Sequence, residues 1–175
     1  MKIRYSLLLF LATILAINGF QACKISYSFT GAAIASNVKT FSVEYFPNRA
    51  RLVNPNLSQE FVQGTYGLEN KIIKQTSLNQ VPENGDLEFS GQITGYDVQP
   101  MNIQEGDLAA QNRLTIRVKV KFVNNKEHEK DWEKEFSAYE DFDSNRSLSD
   151  VEGELIVEIV KKLTEDIFNA SVADW

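Results

Sequence analysis

Between Asn112 and Val123 four cations, Arg113, Arg117, Lys119 and Lys121, share one parity, while Leu114, Ile116, Val118, Val120 and Phe122 share the other. Side chains alternate across a strand, so the segment reads as a strand with one apolar and one basic face. Cations spaced in this way could hold phosphates or anionic sugars. The next segment offers the row a different use. Asp131, Glu133 and Glu135 fall on one parity of Lys130–Tyr139. A hairpin around residue 126 sets 121 opposite 131, 119 opposite 133 and 117 opposite 135. Opposite charges facing across strands contribute about 0.2–1 kcal/mol each and fix register. In that register Arg113 has no acidic partner and is the cation most open to a ligand.

A second spacing could serve a metal ion. Asp141, Asp143, Asn145, Ser147, Ser149 and Glu152 stand at positions 1, 3, 5, 7, 9 and 12 of an EF-hand-like loop, whose oxygens would wrap Ca²⁺. Arg146 occupies the place where the sharp turn takes glycine, and the preceding segment reads as strand rather than helix. The competing use is an acidic connection into a helix, with Ser149 and Glu152 spaced as a capping box. For catalysis there is little. The single histidine, His128, lies among Lys126, Glu127, Glu129 and Lys130, and the carboxylates are scattered over faces that read as solvated. With no nucleophile–base pair and no thiolate cluster, the chain reads as non-enzymatic and without a cofactor.

The N-terminal residues suit export. Lys2 and Arg4 precede Ser6–Ile17, an uncharged apolar run of twelve residues, short of the ~20 needed to span a bilayer. Asn18 and Gly19 end it, and Phe20-Gln21-Ala22-Cys23 comes next. A small residue before the only cysteine looks like the lipobox of bacterial lipoproteins, although Phe20 and Gln21 are bulkier than its common residues. Residues 1–22 therefore read as a signal peptide. Cys23 reads as the acylated first residue of the mature protein, since a lone cysteine cannot close an internal disulfide. Several acyl chains, palmitate among them, would make a stable membrane anchor. Lys24-Ile25-Ser26 lacks the acidic cluster associated with surface export, which favours a periplasm-facing position.

Without Lys2 and Arg4 the chain keeps 16 basic against 24 acidic residues, a formal net charge of −8, which argues against nucleic acid as a partner. Residues 23–38 read as lipidated N-terminus and tether, and 39–175 as one domain. Lys39–Phe46 predicts a strand with Phe41, Val43 and Tyr45 on one face. A helix from Asn54-Pro55-Asn56 to about Lys74 comes after it, weakened by Gly64 and Gly67. Asn84-Gly85 marks a turn before a strand over Asp86–Val98, with Leu87, Phe89 and Ile93 inward and Gly91 and Gly95 as bulge or close-approach points. The strand over Lys130–Tyr139 points Trp132, Phe136 and Ala138 inward. A last helix, Ser149–Asn169, repeats Val151, Leu155, Ile159, Leu163 and Ile167 at helical spacing. The pattern β-α-β-β-β-α predicts an α+β two-layer sandwich, with two helices on one face of a four-stranded, mostly antiparallel sheet.

Several segments together carry a family resemblance. They are Tyr27-Ser-Phe-Thr-Gly-Ala-Ala-Ile34, Val43-Glu-Tyr-Phe-Pro-Asn-Arg-Ala50, Val53-Asn-Pro-Asn-Leu-Ser58, Gln75-Thr-Ser-Leu78, Gly91-Gln-Ile-Thr-Gly-Tyr96, Asn112-Arg-Leu-Thr-Ile116 and Asp166-Ile-Phe-Asn169, with Trp175 closing the chain. The sequence resembles the LptE-like lipopolysaccharide-assembly lipoproteins in their Bacteroidetes form. That resemblance implies an outer-membrane lipoprotein facing the periplasm, with lipopolysaccharide and a large β-barrel translocon as partners. It implies a role as the barrel's plug and assembly subunit. Arg113, Arg117, Lys119 and Lys121 are then candidate contacts by strand geometry. Phe46-Pro47-Asn48-Arg49 is another, either a rigid loop suited to the barrel wall or a plain strand-ending turn. The alternative is a stand-alone periplasmic lipoprotein that binds a lipid or carbohydrate.

Overall fold

The longest alternating segment becomes β4 (Gln111–Asn124), in a computed structural model that describes residues 34–52, 54–101 and 110–173. Leu114, Ile116, Val118, Val120 and Phe122 are buried, as the alternation requires. β4 pairs antiparallel with β3 (Leu87–Pro100) on one side and β5 (Trp132–Asp143) on the other. β1 (Thr40–Val43) lies parallel to β3. A two-residue strand, β2 (Asn79–Gln80), runs parallel to β1 at its far side. The sheet is thus five-stranded and mixed, in the order β2-β1-β3-β4-β5, where four mostly antiparallel strands were expected. Helical segments join β1 to β2, and a parallel neighbour needs such a crossover. β2 has no periodicity to read, being two exposed polar residues.

The predicted first helix is two, α1 (Leu57–Gln63) and α2 (Leu68–Gln75), broken across residues 64–67. The Asn70 amide donates to the carbonyls of Gln63 (3.2 Å) and Gly64 (2.8 Å), satisfying carbonyls that the break frees. α3 (Leu148–Phe168) buries Val151, Leu155, Ile159, Leu163 and Ile167, the expected stripe, and ends in a π-helical turn over Asn169–Ala173. The helices and the inner sheet face share one core, against which Ile34, Ala35 and Val38 also pack. The capping box does not form. Ser147 is the N-cap residue, the Ser147 and Ser149 hydroxyls pair at 2.8 Å, and Glu152 accepts a hydrogen bond from the buried Tyr96 hydroxyl. Burial first, and the Glu152 bond second, push the Tyr96 pKa up, so the hydroxyl stays a neutral donor tying β3 to α3.

β1 stops at Val43, earlier than expected, and this reverses the parity of the next residues. Tyr45 is 68% exposed whereas Phe46 is fully buried. After Glu44 N–H donates to Phe89 O (2.8 Å), the chain crosses to the middle of β3. There Ile93 N–H donates to Pro47 O (3.0 Å) and Arg49 N–H to Ile93 O (2.8 Å). The bulge between Ile93 and Gly95 lies at this crossing, one of the two glycine irregularities expected in β3.

The β4–β5 hairpin is two residues longer than its charges alone suggested: 121 faces 133, 119 faces 135 and 117 faces 137. Asp131 belongs to the turn, where its carboxylate accepts Asn124 N–H at 2.7 Å. The Asn124 side-chain oxygen accepts the N–H groups of Lys126 (2.9 Å) and Glu127 (3.1 Å). A 3-10 turn over His128–Lys130 fills the extra length. A slip of two keeps every side chain on its face, so the inward set is unchanged.

Asp86 joins three segments. Its carboxylate accepts the N–H groups of Lys39 (2.7 Å) and Thr40 (3.0 Å), and the Lys126 ammonium lies at 2.8 Å. The Lys126 bond, then the Lys39 N–H, hold its pKa far below the usual carboxylate range. A depressed pKa gives stability that is complete above the unfolded value, ~3.9, and lost as pH falls below it. Asp86→Asn is expected to cost about 2 kcal/mol at pH 7, the scale of hydrogen bonds to a charged group. In urea unfolding at a series of pH values, the gap from the unsubstituted chain should close below about pH 4.

Candidate functional site

The outer face of β3–β4–β5 carries the basic row, and each cation but one has a carboxylate. The Arg113 guanidinium binds Asp141 through two parallel bonds, Nε to Oδ1 at 2.7 Å and Nη2 to Oδ2 at 2.8 Å. These residues are direct partners in the β4–β5 register. The guanidinium also stacks 3.6 Å from the Tyr139 ring centroid. Arg117 pairs with Asp97 of β3. Lys119 Nζ lies 2.5 Å from Glu133, which faces Lys121 in the register. The Thr94 hydroxyl donates to Glu135 at 2.7 Å.

These contacts correct the expectation for Arg113. It is the most firmly held cation of the row, because Asp141, beyond the predicted end of β5, completes a bidentate pair. Lys121 takes its place: among the described residues it is the only one of the four cations without an ion pair. The face is therefore a zipper of compensated charge. The Arg113 hydrogen bonds hold the Asp141 carboxyl below its usual range. The bond from Lys119 does the same for Glu133. Arg113→Gln is expected to destabilise the fold at neutral pH. The loss should shrink in high salt and vanish once Asp141 is protonated in acid. A double-substitution cycle with Asp141→Asn that gave no coupling at low salt would contradict the pairing.

The acidic residues of the calcium-like spacing have other partners. Asp141 is engaged by Arg113, Asp143 Oδ1 accepts the N–H of Asn145 at 2.8 Å, and Glu152 is turned to Tyr96. Among the described residues no three acidic, histidine or cysteine side chains are placed to hold a metal. The spacing spans the end of β5 and the start of α3. His128 is exposed, its Nδ1 3.0 Å from an Asp131 carboxylate oxygen in the hairpin turn.

Phe46 and Arg49 separate. Phe46 is a core residue, its ring 5.0 Å from that of Phe61, so it is withdrawn from any partner. Its burial comes from the early end of β1, which alternation alone does not reveal. Arg49 is exposed on a backbone pinned to Ile93. Tyr45 and Leu52, 68% and 50% exposed, flank it. Alternation from Lys39 puts Tyr45 inside, and it carries no signal for Leu52. Cys23 lies outside the described residues.

No curated protein matches the sequence. A minor lipoprotein from Acinetobacter baumannii shares 12% identity, with a TM-score of 0.46 over 74% of this chain and 89% of its own. A hypothetical protein from Chlamydia trachomatis shares 10% identity, with a TM-score of 0.49 over 78% of this chain and 99% of its own. The family described as LptE, lipopolysaccharide-assembly, matches residues 38–171. That span runs from just before β1 into the turn after α3, so it takes in every strand and helix described above. The chain belongs to the LptE lipopolysaccharide-assembly family.

Proposed function

We propose that this protein is a non-enzymatic outer-membrane lipoprotein, anchored through Cys23 and facing the periplasm. It assembles with the β-barrel lipopolysaccharide translocon, plugs it, and assists insertion of lipopolysaccharide into the outer leaflet. The observation that carries this reading is the family match over the whole folded region. The site chemistry supports it. Arg113, Arg117 and Lys119 on the sheet face are held in ion pairs, which suits a rigid binding surface better than proton transfer. Arg49, Tyr45 and Leu52 supply an exposed cation and two exposed apolar groups within one eight-residue segment, residue types that protein interfaces use. Arg117, Lys119 and Lys121 remain candidate contacts, and Lys119 and Lys121 are both exposed. Depletion of the protein in its native cell is expected to reduce newly made lipopolysaccharide at the surface, measured by labelling intact cells. Surface delivery unchanged after depletion would overturn the proposal.

A further inference from the structure

The α1–α2 break, α2 and α3 line an open pocket of about 230 Å³ whose charge runs against that of the whole chain. The protein carries a formal charge of −6, yet three lysines, Lys71, Lys74 and Lys161, line this cavity with one acid, Glu165. Lys71 comes from α2 and its side chain is only 15% exposed; it is paired with Glu165, which is 49% exposed. The cation is therefore largely withdrawn from water while its counter-charge is free to turn outward. Lys74 Nζ has a neutral partner, the Thr65 carbonyl at 3.2 Å. Lys161 Nζ stands 5.3 Å from the Tyr66 ring centroid and 3.6 Å from Glu158. The wall is fixed, because the buried Thr164 hydroxyl donates to the Tyr66 carbonyl at 2.8 Å.

We propose that this cavity binds a phosphate monoester, with Lys71, Lys74 and Lys161 as its ligands and Glu165 as the resident counter-charge that it displaces. Three ammonium groups match the three terminal oxygens of a phosphate monoester, whereas a carboxylate presents only two. The Tyr66 ring and the lysine stems give an apolar flank for whatever the phosphate esterifies. The ligand is either a soluble phosphate or the headgroup of a phosphate-bearing lipid. The site does not depend on the barrel reading: it stands or falls with phosphate binding, and co-purification of a barrel neither supports nor removes it.

The test uses the ¹⁵N-labelled full chain in neutral-detergent micelles, titrated with inorganic phosphate while backbone amide shifts are followed. Saturable shifts at Thr65, Tyr66 and Lys74, with Gly153 unmoved, are the expected result. Lys74→Gln should weaken the apparent affinity about fivefold and Glu165→Gln strengthen it by a similar factor, the scale of one partly exposed charge interaction. Both residues are exposed, and matching far-ultraviolet dichroism establishes that the variants are folded. In a second arm, phosphatidic acid replaces part of the detergent. Response of the same amides at lower concentration than with inorganic phosphate assigns a lipid headgroup, and the reverse order assigns a soluble phosphate. Shifts that do not saturate with either ligand, or that ignore both substitutions, would overturn the proposal.

Discussion

Phe46→Ala is expected to lower folding stability by about 3–5 kcal/mol, the cost of emptying a buried aromatic site. Phe46 is fully buried. Its ring packs against Phe61 of α1 and sits over Gly91 of β3, where an added Cβ would come within 2.8 Å of it. It thus joins the first helix to the centre of the sheet, and its loss opens a cavity between the two layers. Arg49→Ala, three residues on, should change stability by less than about 0.5 kcal/mol, as exposed substitutions do. Urea unfolding followed by far-ultraviolet dichroism separates the two. Equal and small effects would mean that Phe46 is not the core residue its burial makes it.

Gly91→Ala should cost more than about 3 kcal/mol, from backbone strain and overlap together. Gly91 has φ +156°, a conformation that L side chains rarely adopt, and a Cβ there would overlap the Lys119 carbonyl oxygen of β4 as well as meet Phe46. Neither neighbour can yield easily: one is backbone within the β3–β4 ladder, the other a fully buried ring. Gly153→Ala provides the opposite sign. Gly153 is exposed within α3 and a Cβ there meets nothing within 4 Å. Alanine should therefore stabilise by about 0.5–1 kcal/mol through helix propensity and a less flexible unfolded chain. A Gly91→Ala protein with unchanged midpoint would refute the close packing of loop, β3 and β4.

The legible parts of the fold were those written in periodicity. β4 and α3 each bury one continuous stripe, so alternation in the first and helical spacing in the second place Val118 and Ile159 in the core without further help. β1 was harder because it is covered on both edges and buries Phe41, Ser42 and Val43 in succession. A strand of that kind has no alternation to mark where it ends, and Tyr45 and Phe46 exchanged roles. Charge parity places the hairpin register two residues away from the observed one, because it is satisfied equally by slips of two. Asp131 in the turn, not the ion pairs, decides between them. Arg113 shows the consequence for the site. Its partner Asp141 lies in the part of β5 that runs past Tyr139, the predicted strand end. The lysine-lined cavity is invisible in sequence because its cations come from α2 and α3, about ninety residues apart, and the packing of these two helices brings them together.

Affinity isolation of the tagged, lipid-anchored protein from outer membranes in mild detergent tests the central claim most directly. A large β-barrel protein recovered in equal molar amount, and retained through size-exclusion chromatography, is the predicted result. Recovery of the protein as a monomer with no barrel, from membranes in which both are present, would contradict it.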